Sequence, residues 1–288
     1  MTTEMAGRKR RFRLSRWPLH LSISVIMLMW LIPTIGTLVN SFRSGTAIRF
    51  EGWWTAFTPP LEFTLENYQH VLSRQGMGDA FINSLILTIP ATIIPITVAC
   101  FAAYAFAWMK FPLRNTLFVI VVGLLVVPLQ MTFVPLQILF REAGIAGSFL
   151  SVWLAHTGFG LPFALFLLRN YMGSLPSAVF ESAAIDGASE MTAFFRLAIP
   201  MSVPAIASLA IFQFLWVWND LLVALIFFGP NIPNHPMTVR LASLVNSLGG
   251  EWHFLTAAAF IQMVLPVTVF LLLQRYFASG LLAGSVKG

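Results

Sequence analysis

The sequence predicts an all-α integral membrane protein with six transmembrane helices. Hydrophobic residues make up 58% of its 288 positions and charged residues only 10%, whereas a soluble domain carries about 25% charged residues. The apolar residues also cluster in runs that reach the roughly 20 residues needed to cross a bilayer. So few charges cannot cover a globular surface, and the lipid bilayer is therefore the first partner that the sequence predicts.

Six apolar runs are separated by short polar or proline-rich segments. The predicted spans are 17–39, 80–108, 116–140, 149–168, 201–228 and 254–277. The first run exceeds the hydrophobic core of a signal peptide, and no Ala-x-Ala cleavage site follows it, so we expect it to remain in the mature protein. A polar extracytoplasmic loop is expected at 40–79, with a short surface helix near 66–76.

Lysine and arginine are distributed unequally between the two sides of these spans. Twelve lie on the side of the basic N-terminus (1–16), which also holds the 110–114 turn, the segment 169–200, Arg275 and the tail (279–288), and five lie on the opposite side. Because positive charge favours the cytoplasmic side, we expect a multi-pass membrane protein with both termini and 169–200 in the cytoplasm. Residues 17–278 then form the spanning domain. A nucleic-acid or specific lipid site is the alternative interpretation of the N-terminus; no nucleic-acid partner is expected.

Every predicted span contains proline. These prolines are Pro33, Pro90, Pro95, Pro128, Pro135, Pro162, Pro204 and Pro266. Proline removes a backbone donor and bends a helix, which a membrane protein tolerates when neighbouring helices satisfy the freed carbonyl groups. Bent spans suit a cavity or moving parts, but proline is also simply more frequent in membrane helices.

The segment 176–200 is polar although it lies between two apolar runs. Its charged residues are Glu181, Asp186, Glu190 and Arg196. Pro176 is tolerated in the first turn of a helix, and Gly187 can adopt positive φ and end that helix. We expect two short helices joined at Gly187, before a fifth span that starts at Pro200. Their apolar faces would comprise Phe180, Ala183, Ala184 and Gly187, and then Met191, Phe194, Phe195 and Ala198.

This segment resembles the EAA loop of ATP-binding-cassette (ABC) importer permeases. The matching residues are Glu181, Ser182, Ala183, Asp186, Gly187, Ala188, Leu197, Ile199 and Pro200. The family pattern has Glu-Ala-Ala, a glycine after three further residues, and a hydrophobic-x-Leu-Pro ending after nine more. Here Ser182 replaces alanine, Leu197 replaces isoleucine and Ile199 replaces leucine. The resemblance implies a type I importer permease fold in which this cytoplasmic segment is the coupling helix that docks on a separate ATPase.

The resemblance extends along most of the chain. Asn83-Ser84-Leu85, Val127-Pro128-Leu129-Gln130, Trp216-Val217-Trp218-Asn219-Asp220 and Gly284-Ser285-Val286-Lys287-Gly288 are similar to carbohydrate permeases of the maltose type, most closely the alpha-glucoside branch. The resemblance implies import of an oligosaccharide or glucoside by alternating access across the bacterial inner membrane. The implied partners are a second homologous permease subunit, an ABC ATPase dimer and an extracytoplasmic sugar-binding protein. The tail residues Gly284, Ser285, Val286 and Lys287 would reach the ATPase; a frayed tail is the alternative.

The sequence has no motif for nucleotide binding, metal binding or catalysis. None of its three lysines stands in a Gly-x-x-x-x-Gly-Lys-Ser/Thr phosphate loop, and its five histidines and single cysteine show no metal-ligand spacing. We expect no cofactor in this chain, with ATP and Mg²⁺ bound by the partner ATPase. A transport subunit is predicted rather than an enzyme. A secondary transporter of a small polar solute, and a membrane-bound enzyme assembled from distant residues, are the alternatives.

Asp220 is the one carboxylate well inside a predicted span. A charge at membrane depth costs about 2.5–3.5 kcal/mol on insertion scales, so we expect it to face the bundle interior with a partner. One interpretation is a sugar path or gate lined by Trp216, Asn219 and Asp220, to which Asn83 and Gln130 contribute. The alternative is a structural role, in which these groups hold helices together through hydrogen bonds.

Overall fold

The computed structural model describes residues 17–248 and 251–283, which form thirteen α-helices and no β-strand. In chain order the helices are α1 (Trp17–Ser41), α2 (Gly45–Phe50), α3 (Glu66–Ser73), α4 (Met77–Trp108), α5 (Arg114–Gly123), α6 (Leu129–Glu142), α7 (Phe149–Gly173), α8 (Ser177–Ile185), α9 (Glu190–Ala193), α10 (Ile199–Trp218), α11 (Leu222–Phe228), α12 (Met237–Leu248) and α13 (Trp252–Ala283). The predicted all-α class is confirmed. The basic N-terminus (1–16) and the tail residues Gly284, Ser285, Val286 and Lys287 lie outside the described residues.

Five stretches of helix in the described part of the chain are long and apolar enough to cross a membrane by themselves. They are α1, α4, α7, the continuous run from α9 to α10, and α13. The bent pair of α5 and α6 brings the number to six when it is taken as one span. The short helices α2, α3, α8, α11 and α12 connect these spans, and α3 is the surface helix expected near 66–76.

The third predicted span, 116–140, is not one straight helix. The chain bends by 103° between α5 and α6. The bend falls at Pro128, which has no N–H to donate and disfavours a helical conformation at the residue before it. Val127 is accordingly extended, with φ −73° and ψ 119°. A hydropathy window averages over such a break, so the apolar run alone could not show it.

The fifth span begins and ends earlier than the predicted range, 201–228. Its helix starts at Glu190 and ends at Trp218. The remaining predicted residues form the separate helix α11, because the chain leaves the helical path between Trp218 and Leu222. The fifth span is therefore continuous with the polar segment before it, and a short second helix separate from the span, as predicted, does not exist.

Pro200 lies inside this continuous helix and does not start it. Its missing N–H leaves the Arg196 carbonyl without the usual partner four residues later. A π turn at Phe194–Ala198 accommodates the proline, and the Ile199 N–H bonds to the Phe194 carbonyl five residues back. The structure thus replaces the expected helix start with a local widening of the helix.

Prolines inside other spans also leave carbonyl groups without their usual partner. Proline at one position cannot donate to the carbonyl four residues earlier, and an unpaired carbonyl in a membrane must find another donor. Pro90 and Pro95 lie in α4, and Pro266 lies in α13. The three carbonyls in question each accept a side-chain N–H from another span at 3.1 Å: Ile86 from Trp153, Ala91 from Gln213, and Gln262 from Trp218. Neighbouring helices therefore satisfy these bends, as expected.

The bond from Gln213 to Ala91 passes close beside α7. Gln213 is buried, and its amide lies against Gly160 of α7. A Cβ atom at Gly160 would lie 2.7 Å from the Gln213 Oε1, closer than side chains approach one another. The absence of a side chain at this glycine therefore makes room for a hydrogen bond between two other spans.

The helices α4 and α7 run in the same direction and define two ends of the bundle. At one end the Trp108 Nε1–H donates to the Met172 carbonyl at 3.1 Å, and at the other Trp153 reaches Ile86. We call the first the α8 end, because α8 follows α7 there, and the second the loop end.

An ion pair stabilises the segment 40–79 after the first span. Buried Arg43 donates to the Glu51 carboxylate at 2.7 Å and helps to hold this segment together.

Candidate coupling site

The segment that follows α7 forms a short helix that ends in a glycine turn. Gly187, just after α8, has a φ of +80°. The Gly187 N–H bonds to the Ala184 carbonyl at 3.1 Å, and the Ala188 N–H bonds to the Ala183 carbonyl at 2.9 Å. This pair of bonds is the Schellman arrangement, which requires a residue that tolerates positive φ. The turn predicted at Gly187 is present.

A second helix begins directly after this turn. Ser189 is extended, and its Oγ accepts the Thr192 N–H at 3.2 Å. Serine is favoured at this capping position because it satisfies a backbone donor at the helix start. Glu190 lies in the first turn, where the helix dipole stabilises a carboxylate. The arrangement is a helix–turn–helix whose second helix is the fifth span itself.

The outward surface of α8 is exposed and carries the first residues of the EAA-like pattern. Glu181, Ser182 and Asp186 are exposed, and Ile185 is 86% exposed. Neither Glu181 nor Asp186 takes part in the Arg43–Glu51 ion pair or in the close His156–Asp220 contact. This surface combines free carboxylates with an apolar side chain and is available to a partner.

The apolar faces predicted for the two helices are only partly buried. Phe180 and Ala183 are half-buried and Phe194 and Ala198 are buried, whereas Ala184, Gly187, Met191 and Phe195 are exposed. Leu197, Ile199 and Pro200 lie in the continuous helix beyond the turn, with Leu197 and Ile199 half-buried. The segment contacts the bundle on one side only, so the sequence pattern overstated its burial.

Two residues of α4 anchor the segment to the bundle. The Trp108 ring stacks on Phe180, with ring centroids 4.0 Å apart and planes 24° apart. The Tyr104 hydroxyl donates to the Glu190 carboxylate at 2.7 Å. Sequence reasoning missed both residues. Their spacing of four on one helix face, immediately before Lys110 at the end of a span, is the signal that could have found them.

Asp220 lies in the break between α10 and α11 and not within a helix of the span. Its Oδ2 accepts the Ala224 N–H at 3.1 Å and lies 3.9 Å from the Nε2 of buried His156. Its backbone carbonyl accepts the Thr238 hydroxyl at 2.7 Å. These contacts link α7, α11 and α12 and support the structural interpretation of Asp220. His156 had no motif to mark it in the sequence.

The other four candidate path residues lie apart or point to structural partners. The Asn83 amide donates to the carbonyls of Pro233 and His235 at 2.6 and 3.2 Å. Asn219 donates to the Leu215 carbonyl of its own helix, Trp216 meets the His156 ring edge-on at 5.2 Å, and Gln130 is exposed in the first turn of α6. The structure therefore brings Trp216 close to the Asp220–His156 contact but leaves Gln130 on another helix.

The bend of the third span encloses an apolar cavity against α7. Its volume is about 750 Å³, and Leu124, Thr132, Phe140, Phe159 and Pro162 are among the residues that line it. None of the five candidate path residues lines this cavity. Among residues 17–248 and 251–283, no three His, Cys, Asp or Glu side chains lie close enough together to bind a metal ion.

Two substitutions separate the capping role of Asp220 from its charge. Asp220→Asn keeps an oxygen that accepts the Ala224 N–H, whereas Asp220→Ala removes it, at a typical cost of about 1 kcal/mol for a lost helix cap. We expect the thermal unfolding midpoint in detergent to fall for Asp220→Ala and to stay near the parent value for Asp220→Asn. Equal midpoints for both variants would contradict the capping role.

The comparisons with known proteins agree with this geometry. Residues 92–282 match the family described as binding-protein-dependent transport system inner membrane component. The chain belongs to this family. The permease is thus a multi-pass inner-membrane subunit of an ABC importer that works with a substrate-binding protein, and it is a transport component rather than an enzyme.

Two relatives are similar over nearly the whole permease. The osmoprotective compounds uptake permease protein GgtD of Synechocystis sp. is 52% identical over 99% of this chain and 96% of its own. The alpha-glucoside transport system permease protein AglG of Rhizobium meliloti is 40% identical over 94% of this chain and 97% of its own. The family resemblance inferred from the sequence is confirmed.

A solved structure shares the fold of the permease. A chain of a bacterial ABC transporter involved in the import of the acidic polysaccharide alginate superposes with a TM-score of 0.79, at 18% identity, over 96% of the permease and 100% of that chain. A second structure of the bacterial alginate transporter, in complex with its oligosaccharide-bound periplasmic protein, gives a TM-score of 0.67 over 89% and 92%. The predicted importer permease fold is confirmed.

Proposed function

We propose that the permease is one half of a heterodimeric, ATP-driven importer for an oligosaccharide or a glucoside. The observation that carries the proposal is α8, an exposed helix between the fourth and fifth spans that ends at Gly187 with positive φ. The substrate class is supported by AglG, which is named for alpha-glucosides. The partner in the membrane would be a second, homologous permease subunit.

In this proposal α8 docks on an ABC ATPase dimer in the cytoplasm. The excess of lysine and arginine, twelve against five, supports a cytoplasmic position for both termini and for the segment 169–200. ATP and Mg²⁺ would bind to the ATPase subunits, since this chain has no phosphate-binding loop. Glu181, Ser182, Ala183, Asp186, Gly187 and Ala188 form the docking surface and its turn, and Leu197, Ile199 and Pro200 connect it to the fifth span.

The mechanism is alternating access. Binding of ATP draws the two ATPase subunits together, and α8 moves with them. Because α9 and α10 continue directly from the Gly187 turn, this movement reaches the fifth span without a flexible connection. The bundle then opens toward the binding protein, and hydrolysis restores the first state. The work of this chain is therefore gating.

The candidate path and the tail belong to the same proposal. Trp216 and Asp220 stand beside His156 at the loop end, where sugar would enter from the binding protein. Asn83, Gln130 and Asn219 would contribute amide groups to the path. The tail residues Gly284, Ser285, Val286 and Lys287 would contact the ATPase from the same side as α8, because their place after the sixth span is cytoplasmic in this orientation.

Reconstitution tests the function directly. The permease would be co-expressed with its second permease and ATPase subunits, placed in lipid nanodiscs, and assayed for ATP hydrolysis with a binding protein. We expect copurification of the ATPase, and faster hydrolysis with a glucoside-loaded binding protein than with the unloaded one. Uptake into vesicles that follows a proton or sodium gradient and needs no ATP would instead establish a secondary transporter.

A further inference from the structure

One face at the end of α4 contacts both α8 and α9, the two helices of the segment 176–200, which we call the coupling segment. Trp108 stacks on Phe180 of α8 at 4.0 Å, and Tyr104, four residues earlier, donates its hydroxyl to the Glu190 carboxylate at 2.7 Å. Residues four apart lie on the same face of a helix. The segment that carries the Gly187 turn is therefore fastened to α4 on both sides of that turn.

Both anchor residues are themselves held in place. The Trp108 indole N–H donates to the Met172 carbonyl in the last turn of α7 at 3.1 Å. Tyr104 is buried, and its ring packs edge-on against Phe194 at 5.3 Å. A hydrogen bond from a hydroxyl to a carboxylate is roughly twice as strong as one between neutral groups. A displacement of Glu190 must therefore act on α4.

The opposite end of α4 holds the segment between α11 and α12. The Asn83 amide donates to the carbonyls of Pro233 and His235, and the Ser84 hydroxyl accepts the Met237 N–H at 2.8 Å. α4 is one helix of 32 residues, or about 48 Å at 1.5 Å per residue. One rigid element thus touches the coupling segment at the α8 end and the connection between α11 and α12 at the loop end.

The two prolines of α4 do not make it a free joint. The carbonyls that Pro90 and Pro95 leave unpaired are bound by Trp153 and Gln213 from α7 and α10. A bend whose freed groups are satisfied by neighbouring helices keeps its angle as long as those helices stay in contact. A displacement at one end of α4 can therefore be transmitted to its other end.

We propose that α4 transmits movement of the coupling segment to the loop end, with Tyr104 and Trp108 as the positioning residues that fasten the segment to it. This inference rests on the proposed function, because it requires an ATPase that moves α8. The inference adds a route through α4, which neither precedes nor follows α8 directly in the chain. Asn83 then acts at the far end of this route by holding the Pro233 and His235 carbonyls.

The test removes the Tyr104 hydroxyl and measures the mobility of a spin label at the loop end. In the assembled transporter, with buried Cys100 replaced by alanine, a spin label is attached at Ile232→Cys, a position 60% exposed at the loop end. ATP is expected to change the mobility of this label. Tyr104→Phe keeps the ring but loses the bond to Glu190. We expect it to retain ATP hydrolysis while reducing both the ATP-dependent label signal and the sugar transported per ATP by about tenfold.

Matched variants separate transmission from general damage. Tyr171→Phe makes the same change at the same end of the bundle but removes only a 3.4 Å contact to the Met201 carbonyl, so we expect parental behaviour. Glu190→Gln keeps an acceptor for Tyr104, so its label signal and its sugar transported per ATP should lie between those of Tyr104→Phe and Tyr171→Phe. Equal label signals in Tyr104→Phe and Tyr171→Phe would overturn the inference.

The failure of the inference is distinguishable from that of the proposed function. If the transporter hydrolyses ATP in response to its binding protein and Tyr104→Phe transports normally, the route through α4 is wrong and the importer function stands. If the purified complex shows no binding-protein-stimulated hydrolysis at all, both are wrong. If the label on the transporter with native Tyr104 does not change its mobility when ATP is added to an active complex, the route through α4 is also wrong.

Discussion

Gly187→Val is expected to abolish most transport while the protein still inserts into the membrane. Gly187 holds φ at +80° in the Schellman turn between α8 and α9. A β-branched residue in this conformation carries a strain of about 1–3 kcal/mol, and each 1.4 kcal/mol corresponds to about tenfold in an equilibrium. The turn should open and detach α8 from the fifth span. Sugar uptake and ATP hydrolysis in the reconstituted transporter would both be measured.

The chain offers a close control for this experiment. Gly144 ends α6 with a φ of +71° and the same pair of hydrogen bonds, and it lies at the loop end. A Cβ atom would meet nothing within 4 Å at either glycine, so the strain comes from the backbone alone. Gly144→Val should cost similar stability but keep transport coupled to ATP hydrolysis. If both variants transport sugar equally well, the Gly187 turn is not part of the coupling.

Gly160→Ala is expected to destabilise the bundle although it adds only one methyl group. The new Cβ would meet the Gln213 amide at 2.7 Å and displace it from the Ala91 carbonyl. That carbonyl also lacks its usual backbone donor, because Pro95 has no N–H. Leaving a buried acceptor unpaired costs about 1–3 kcal/mol. The measurement is the thermal unfolding midpoint and the monodisperse fraction in detergent, both of which should fall.

Gly158→Ala is the control, two residues away on the same helix. A Cβ at Gly158 would meet no atom within 4 Å, and alanine is the better helix former by about 1 kcal/mol. This variant should be as stable as the parent or slightly more so. Equal destabilisation by Gly158→Ala and Gly160→Ala would show that the loss comes from the helix and not from the contact with Gln213.

The sequence predicted those parts of the fold that depend on local chemistry. Hydropathy runs located the spans because each run must be apolar over the thickness of a bilayer. The turn at Gly187 was predictable because positive φ leaves few alternatives to glycine. Both features are properties of a few consecutive residues, and the structure contains both.

Features that depend on contacts between distant residues were not predictable in this way. The bond from Tyr104 to Glu190 joins residues 86 positions apart, and the contact of His156 with Asp220 joins the fourth span to the break that follows the fifth. The break at Val127 and the end of the fifth span at Trp218 were hidden inside apolar runs. Asp220 therefore looked like a charge within the membrane span although it occupies the break between two helices.

The hydrogen bonds to Ile86 and Ala91 constrain how the chain can be assembled during synthesis. α4 enters the bilayer before the residues that satisfy its two freed carbonyls exist, since Trp153 and Gln213 are made 67 and 122 positions later. Until α7 and α10 arrive, α4 is an incomplete membrane helix that exposes unpaired acceptors to lipid. Each unpaired acceptor is costly in lipid, so α4 reaches its full stability in the bilayer only after the fifth span is in place.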